Sequence, residues 1–179
     1  MLSTAILAAL CVLAPASGLQ PREYVVAFEP HHVAGPFAGT KTCPVCQFPL
    51  NPGVMVWVGD ETESRIEALA IALERKLRTE NRDRQGTERL VAFMVFLESP
   101  TNTEARLRRI ADSVNVRDLA LTLLPPDSSA VATFEINRSP WVKTTTLVYR
   151  EAEVSFNFVN LSPSRSSALE AAIDAVLKN

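Results

Sequence analysis

The chain has 179 residues, 47% of them hydrophobic and 21% charged, with 18 basic and 20 acidic side chains giving a formal net charge of −2. That length suffices for one domain with a substantial core, and the charge balance argues against a nucleic-acid binder, which shows a basic excess or stripe. The densest basic stretch, Arg75 to Arg89, is interleaved with Glu74, Glu80, Asp83 and Glu88 and reads as a solvated helix end and loop.

The first 20 residues carry no charged side chain. An apolar run from Ala5 to Leu13 is followed by the small residues Ala14-Pro15-Ala16-Ser17-Gly18. This pattern predicts a secretory signal peptide over residues 1–19, cleaved between Ala16 and Leu19. The run is too short to span a bilayer, and no later segment resembles a transmembrane helix. The expected mature protein is therefore exported, periplasmic or extracellular, with no membrane span. Cleavage removes Cys11, so Cys43 and Cys46 remain as the two cysteines of the mature chain. They can pair with each other or with another molecule, and an even count suits a disulfide-permissive compartment.

Residues 20–53 are rich in turn formers: Pro21, Pro30, Gly35, Pro36, Gly39, Pro44, Pro49, Pro52 and Gly53. This predicts an ordered arm with one short strand at Tyr24–Phe28. From Val54 the pattern becomes regular. Residues 54–58 read as a strand. Asp60 and Glu63 have capping-box spacing, and Ile66, Leu69, Ala70, Leu73 and Leu77 give a helix to about Glu80. The unbroken apolar run Leu90–Leu97 predicts a central strand buried on both faces. Thr101 and Glu104 repeat the capping-box spacing before a helix carrying Leu107, Ile110, Ala111 and Val114. Residues 119–124 form a third core strand, stopped by Pro125 and Pro126. A short helix is expected over 128–136. Residues 144–149 and the alternating Val154, Phe156, Phe158 predict an antiparallel hairpin. A final helix from about Ser164 buries Leu169, Ala172, Ile173 and Val176. Strands alternating with helices imply right-handed crossovers and a parallel sheet, to which the hairpin adds an antiparallel part.

The chemistry concentrates in Cys43-Pro44-Val45-Cys46. Such a pair can be a redox dithiol, half of a metal site, or a structural disulfide. As a redox pair it acts by thiolate attack through a mixed disulfide, exchanging with protein or small-molecule thiols and disulfides. The N-terminal member, Cys43, is expected to attack and Cys46 to resolve, with no cofactor. As a metal site, His31, His32, Cys43 and Cys46 would suit zinc or copper. As a static bridge, the pair would pin the arm, although so short a loop gains little from cross-linking. Haem attachment is excluded because Gln47 follows Cys46. No Gly-rich phosphate loop and no Gly-x-Ser-x-Gly elbow is present.

The order of elements resembles the thioredoxin-like fold over residues 54–179. More narrowly, His31-His32-Val33-Ala34-Gly35-Pro36, then Gly39-Thr40-Lys41-Thr42-Cys43-Pro44-Val45-Cys46, then Pro52-Gly53-Val54-Met55-Val56-Trp57, is similar to a group of exported bacterial thioredoxin-like proteins. In these a Cys-x-x-Cys leads directly into the first core strand. The resemblance implies a mixed sheet flanked by helices, and export. Two departures stand out. Pro49, Pro52 and Gly53 prevent a long helix from starting at Cys43, so the thiol lacks the usual helix N-terminus that lowers its pKa. Lys41, His31 and His32 are the candidates for a positive partner instead. In addition, Pro140 lies four residues before Thr144, where thioredoxins place a proline immediately before the strand.

Overall fold

Strands that are apolar without alternation are stable only when both their faces are covered. The computed structural model, which describes residues 15–162 and 166–178, meets that demand in two different ways. In chain order the elements are β1 (His31–Ala34), α1 (Pro44–Gln47), β2 (Gly53–Val58), α2 (Glu63–Glu80), a single 3-10 turn (Gly86–Glu88), β3 (Val91–Leu97), α3 (Pro100–Val114), β4 (Leu119–Leu124), α4 (Ser129–Thr133), β5 (Thr144–Arg150), β6 (Glu153–Val159) and α5 (Ser166–Lys178). The strands form one mixed sheet in the order β1-β4-β3-β2-β5-β6. β2, β3 and β4 run parallel, joined by α2 and α3. β5, β6 and β1 are antiparallel to their neighbours.

One face is covered by helices. Val54, Val56 and Val58 of β2, Met94 and Phe96 of β3 and Leu121 of β4 pack against Ile66 and Leu73 of α2, Leu107 and Ile110 of α3, and Leu169 and Ile173 of α5. The helix stripes read from the sequence are those that face the sheet. The other face has the short α4 for its helix. Among the described residues, the rest of its cover comes from Leu19 and the arm: Leu19, Val25, Phe28, Cys43 and Val45 join Met55, Trp57, Val95, Leu147, Tyr149 and Phe134. Phe28, Trp57 and Phe134 form an aromatic triple with centroid separations of 4.8 to 5.4 Å.

Two glycines make this docking possible. A Cβ on Gly35 (φ +81°) would lie 1.9 Å from the Leu119 carbonyl oxygen, where the arm crosses the start of β4. A Cβ on Gly53 would strike the Tyr149 ring at 2.2 Å. The Tyr149 phenol is fully buried, and burial holds its pKa above the ordinary value. On the helical face the buried Glu74 carboxylate accepts the backbone N–H of Arg117, Asp118 and Leu119 and the Nε of Arg78, fixing the entry to β4.

Several expectations change. Asp60 does not cap α2: Thr62 occupies the N-cap position without a side-chain cap bond, and Asp60 instead lies 3.4 Å from Lys143 Nζ. Thr101 and Asn102 depart from helical φ/ψ, Asn102 with φ +70°, so the Thr101–Glu104 spacing does not mark a regular first turn. The strand expected at Tyr24–Phe28 is reduced to a single bridge between Tyr24 and Glu153. The strand in the arm is β1, which contains both histidines. The expected start of the last helix at Ser164 lies outside the described residues. Among the described residues, no helix is long and apolar enough to cross a membrane.

The cleavage window expected between Ala16 and Leu19 falls on residues that are woven into the body. Ser17 is buried and its Oγ lies 2.6 Å from Thr145 Oγ1. Gly18 N donates to the Glu135 carbonyl. Asn157 Nδ2 donates to the carbonyls of Ser17, Gly18 and Leu19. A chain beginning at Ser17 is therefore expected to be more stable than one beginning at Gln20 by about 3 kcal/mol, from the burial of Leu19 and the hydrogen bonds lost. Urea denaturation of the two forms measures the difference, and equal midpoints would show that the segment contributes nothing.

Candidate functional site

The Cys-x-x-Cys segment folds as its prolines dictate. Pro44 occupies the first turn of α1, where a missing N–H costs nothing. Pro49 and Pro52 follow too closely for the helix to extend, so α1 is one turn long. No long helix begins at Cys43, in line with the sequence expectation. Cys43 stands at the N-cap of that turn, and Cys46 N donates to its Sγ at 3.1 Å. The two cysteines form a disulfide with a Cα–Cα distance of 5.3 Å.

The two ends of the bridge differ in environment. Cys43 is 8% exposed and belongs to the arm-covered core, whereas Cys46 is exposed, as are Gln47, Pro49 and Leu50 after it. Cys43 is also held from both sides. Its carbonyl accepts from Gln47 N at 3.2 Å, and the Thr42 carbonyl before it lies 2.9 Å from His32 Nε2.

His32 is completely buried, with Nδ1 3.1 Å from the Pro36 carbonyl and Nε2 2.9 Å from that of Thr42. A neutral ring has one N–H and donates to one of the two carbonyls, and with either tautomer it is tied to the loop that leads to Cys43. Burial lowers its pKa below the ordinary value; the two carbonyls oppose this, and the neighbouring His31 charge adds to it. Burial thus disfavours the charged ring that the role expected of His32 as a cationic partner requires. His31 points the other way, its Nε2 3.3 Å from Glu104. Together with Lys41, Glu29 and Glu104 it lines a crevice at the outer edge of β1. The adjacent histidines therefore diverge, as successive residues of a strand do. Among the described residues, no three His, Cys, Asp or Glu side chains group in a way that could hold a metal ion.

A second crevice, of about 250 Å³, opens at the C-terminal ends of β2 and β3. Trp57, Glu98, Arg138, Pro140, Lys143 and Thr144 contribute to it, so it includes the loop before the hairpin; the cysteines are not among its lining residues. Among the described residues every peptide bond is trans, that of Pro140 included. The sequence identified both cysteines, but neither their unequal burial nor the part played by Thr42 and His32. No local signal distinguishes a buried histidine from an exposed one beside it.

No protein-family model matches the sequence, and no curated protein matches it significantly. Solved structures do match. A candidate protein disulfide isomerase from Bacteroides thetaiotaomicron superposes with a TM-score of 0.68 at 12% identity, over 92% of this chain and 96% of its own. Peroxidoxin BcpB from Mycobacterium tuberculosis gives 0.66 at 17% identity, over 89% and 97%. A secreted disulfide oxidoreductase of Mycobacterium tuberculosis, homologous to Escherichia coli DsbE, gives 0.58 at 13% identity, over 83% and 95%. The chain thus has a thioredoxin-like fold. Within that fold it carries a Cys-x-x-Cys disulfide, placed before the first parallel strand.

The buried His32 sets a pH dependence. The folded-state pKa of His32 lies below the unfolded value of about 6.5, so the unfolded chain takes up the proton first. The contribution to stability is fully present above about pH 6.5 and is lost as the pH falls through the folded value. The titratable groups His31, Lys41 and Glu104 line the crevice at the outer edge of β1. A His32→Gln variant, which keeps a short N–H donor and does not titrate, is expected to lose less stability between pH 7.5 and 5.5 than the parent protein. Parallel urea titrations at the two pH values check this, and equal losses would remove His32 from the account.

Proposed function

We propose that this protein carries out thiol–disulfide exchange through Cys43 and Cys46, acting on protein or small-molecule thiols and disulfides in an exported setting. The observation that carries the proposal is a disulfide between a cysteine buried in the core and one exposed at the surface. A wholly buried bridge offers no approach to an incoming thiolate; this one does at Cys46. Exchange needs no group beyond the two sulfurs and the thiols they meet. The backbone N–H of Cys46 gives the Cys43 sulfur a donor when it becomes a thiolate. The thioredoxin-like fold supports the reading, as do the names of the structural neighbours. Export is supported by the uncharged, apolar N-terminal residues and by the secreted neighbour.

One observation favours a structural bridge instead. Cys43 packs in the core, and the pair lies outside the crevice that holds the loop before the hairpin. In that reading the disulfide fastens the arm against β2 and β3.

Equilibration of the protein with glutathione buffers separates the two. An exchange protein is expected to have a potential between about −120 and −270 mV. A value below about −300 mV marks a bridge that the glutathione pool leaves intact, and would overturn the proposal. Cys43→Ser and Cys46→Ser serve as controls that abolish the two-electron transition.

A further inference from the structure

We propose that the pair works with reversed polarity: Cys46, the C-terminal cysteine, is the sulfur that enters the mixed disulfide with substrate, and Cys43 is the internal sulfur that leaves and later resolves. This rests on the exchange reading above and specifies which atom of that site reacts.

Three features converge on the assignment. The first is access. A thiolate must approach the attacked sulfur along the line of the S–S bond. Cys43 is 8% exposed and packed in the cluster that contains Val45, Met55 and Val95, so that approach is filled. Cys46 is exposed. The second is anchorage. The Thr42 carbonyl that precedes Cys43 lies 2.9 Å from Nε2 of the buried His32, and Cys43 itself belongs to the core. Cys46 instead leads into the exposed Gln47 and, beyond it, the exposed Pro49 and Leu50. When the bridge opens, the side chain with solvent beside it is that of the exposed Cys46. The third is the fate of the charge. Attack on Cys46 expels Cys43 as the thiolate, whose sulfur already accepts the Cys46 N–H at 3.1 Å.

The reaction balances without a further reagent. A substrate thiolate attacks Cys46 Sγ; the S–S bond breaks, its electron pair leaves with Cys43 Sγ, and a substrate–Cys46 disulfide forms. A second thiolate of the substrate attacks the substrate sulfur of that bond and expels Cys46 as thiolate. The protein gains two electrons and, on protonation, two thiols, and the substrate becomes a disulfide. In the opposite direction Cys46 attacks a substrate disulfide and Cys43 displaces the product.

The test uses Cys43→Ser and Cys46→Ser in a Cys11→Ser background, each mixed with oxidised glutathione, and reads mixed-disulfide formation by intact mass. Cys43→Ser, which retains Cys46, is expected to react at least about tenfold faster than Cys46→Ser, with the two rates converging in urea as access equalises. If Cys46→Ser traps glutathione at an equal or greater rate while folded, the polarity is wrong and exchange itself stands. If neither folded variant traps it, exchange fails and the polarity with it. Because removal of a core cysteine can unfold the chain, the reduced Cys11→Ser protein with both Cys43 and Cys46 intact is also labelled with substoichiometric iodoacetamide and mapped by peptide mass. Label on Cys46 supports the assignment, and predominant label on Cys43 overturns it.

Discussion

β2 governs this structure because it has no face that tolerates water. Every residue from Gly53 to Val58 is buried, and its neighbours β3 and β5 are almost as buried. A sheet of this kind needs two covers. The crossovers supply the first, since α2 and α3 join parallel strands and must lie against the sheet, and α5 closes beside them. Little helix remains for the second face, because α4 has five residues. The proline-rich arm makes up the deficit. It enters the core through Leu19, Val25, Phe28, Cys43 and Val45, so that an irregular segment does the work of a helix.

The location of the cysteines follows from that deficit. The arm carries them onto the second face, and the turn at Pro44–Gln47 lays Cys43 and Val45 into the core while Cys46 faces outward. The same geometry makes the environment of Cys43 dependent on the whole arm. Its position relies on Gly35 passing the Leu119 carbonyl and on His32 spanning the loop. Chemistry at the bridge and packing of the second face are thus parts of one structure.

The regular half of the chain was legible because its signals are long. The apolar run Leu90–Leu97 and the stripe Ile66, Ala70, Leu73 and Leu77 each repeat the same message several times, and tertiary packing reinforces it. Signals carried by a pair of residues fared worse. The spacing of Asp60 and Glu63 matched a capping box, yet the helix starts at Thr62, and Asn102 turns into positive φ within the expected first turn of α3. β1 went unread because it is four residues long, begins with two histidines and shifts register against β4. The burial of Ser17, Gly18 and Leu19 was not visible either, because the small residues that suit a processing enzyme also suit close packing. At the site, the residue types were visible and their burial was not. The sequence treats Cys43 and Cys46 alike, and His31 and His32 alike; the sheet face that each meets distinguishes them.

The sheet has two margins, and the arm bears on both. At one margin β1 is itself part of the arm, and its broken register against β4 leaves no long straight ladder. At the other, the first half of β6 is occupied: Arg22 N and Val25 N donate to the carbonyls of Val154 and Ala152, and Val154 N donates to that of Glu23. Beyond this point Phe156 and Phe158 stack on each other, with Phe156 partly open to solvent. An uncovered strand bearing two phenylalanines is the kind of surface on which neighbouring chains pair and fibrillate. The segment from Arg22 to Val25 thus takes up, at the start of β6, the backbone hydrogen bonds that an incoming strand would otherwise use.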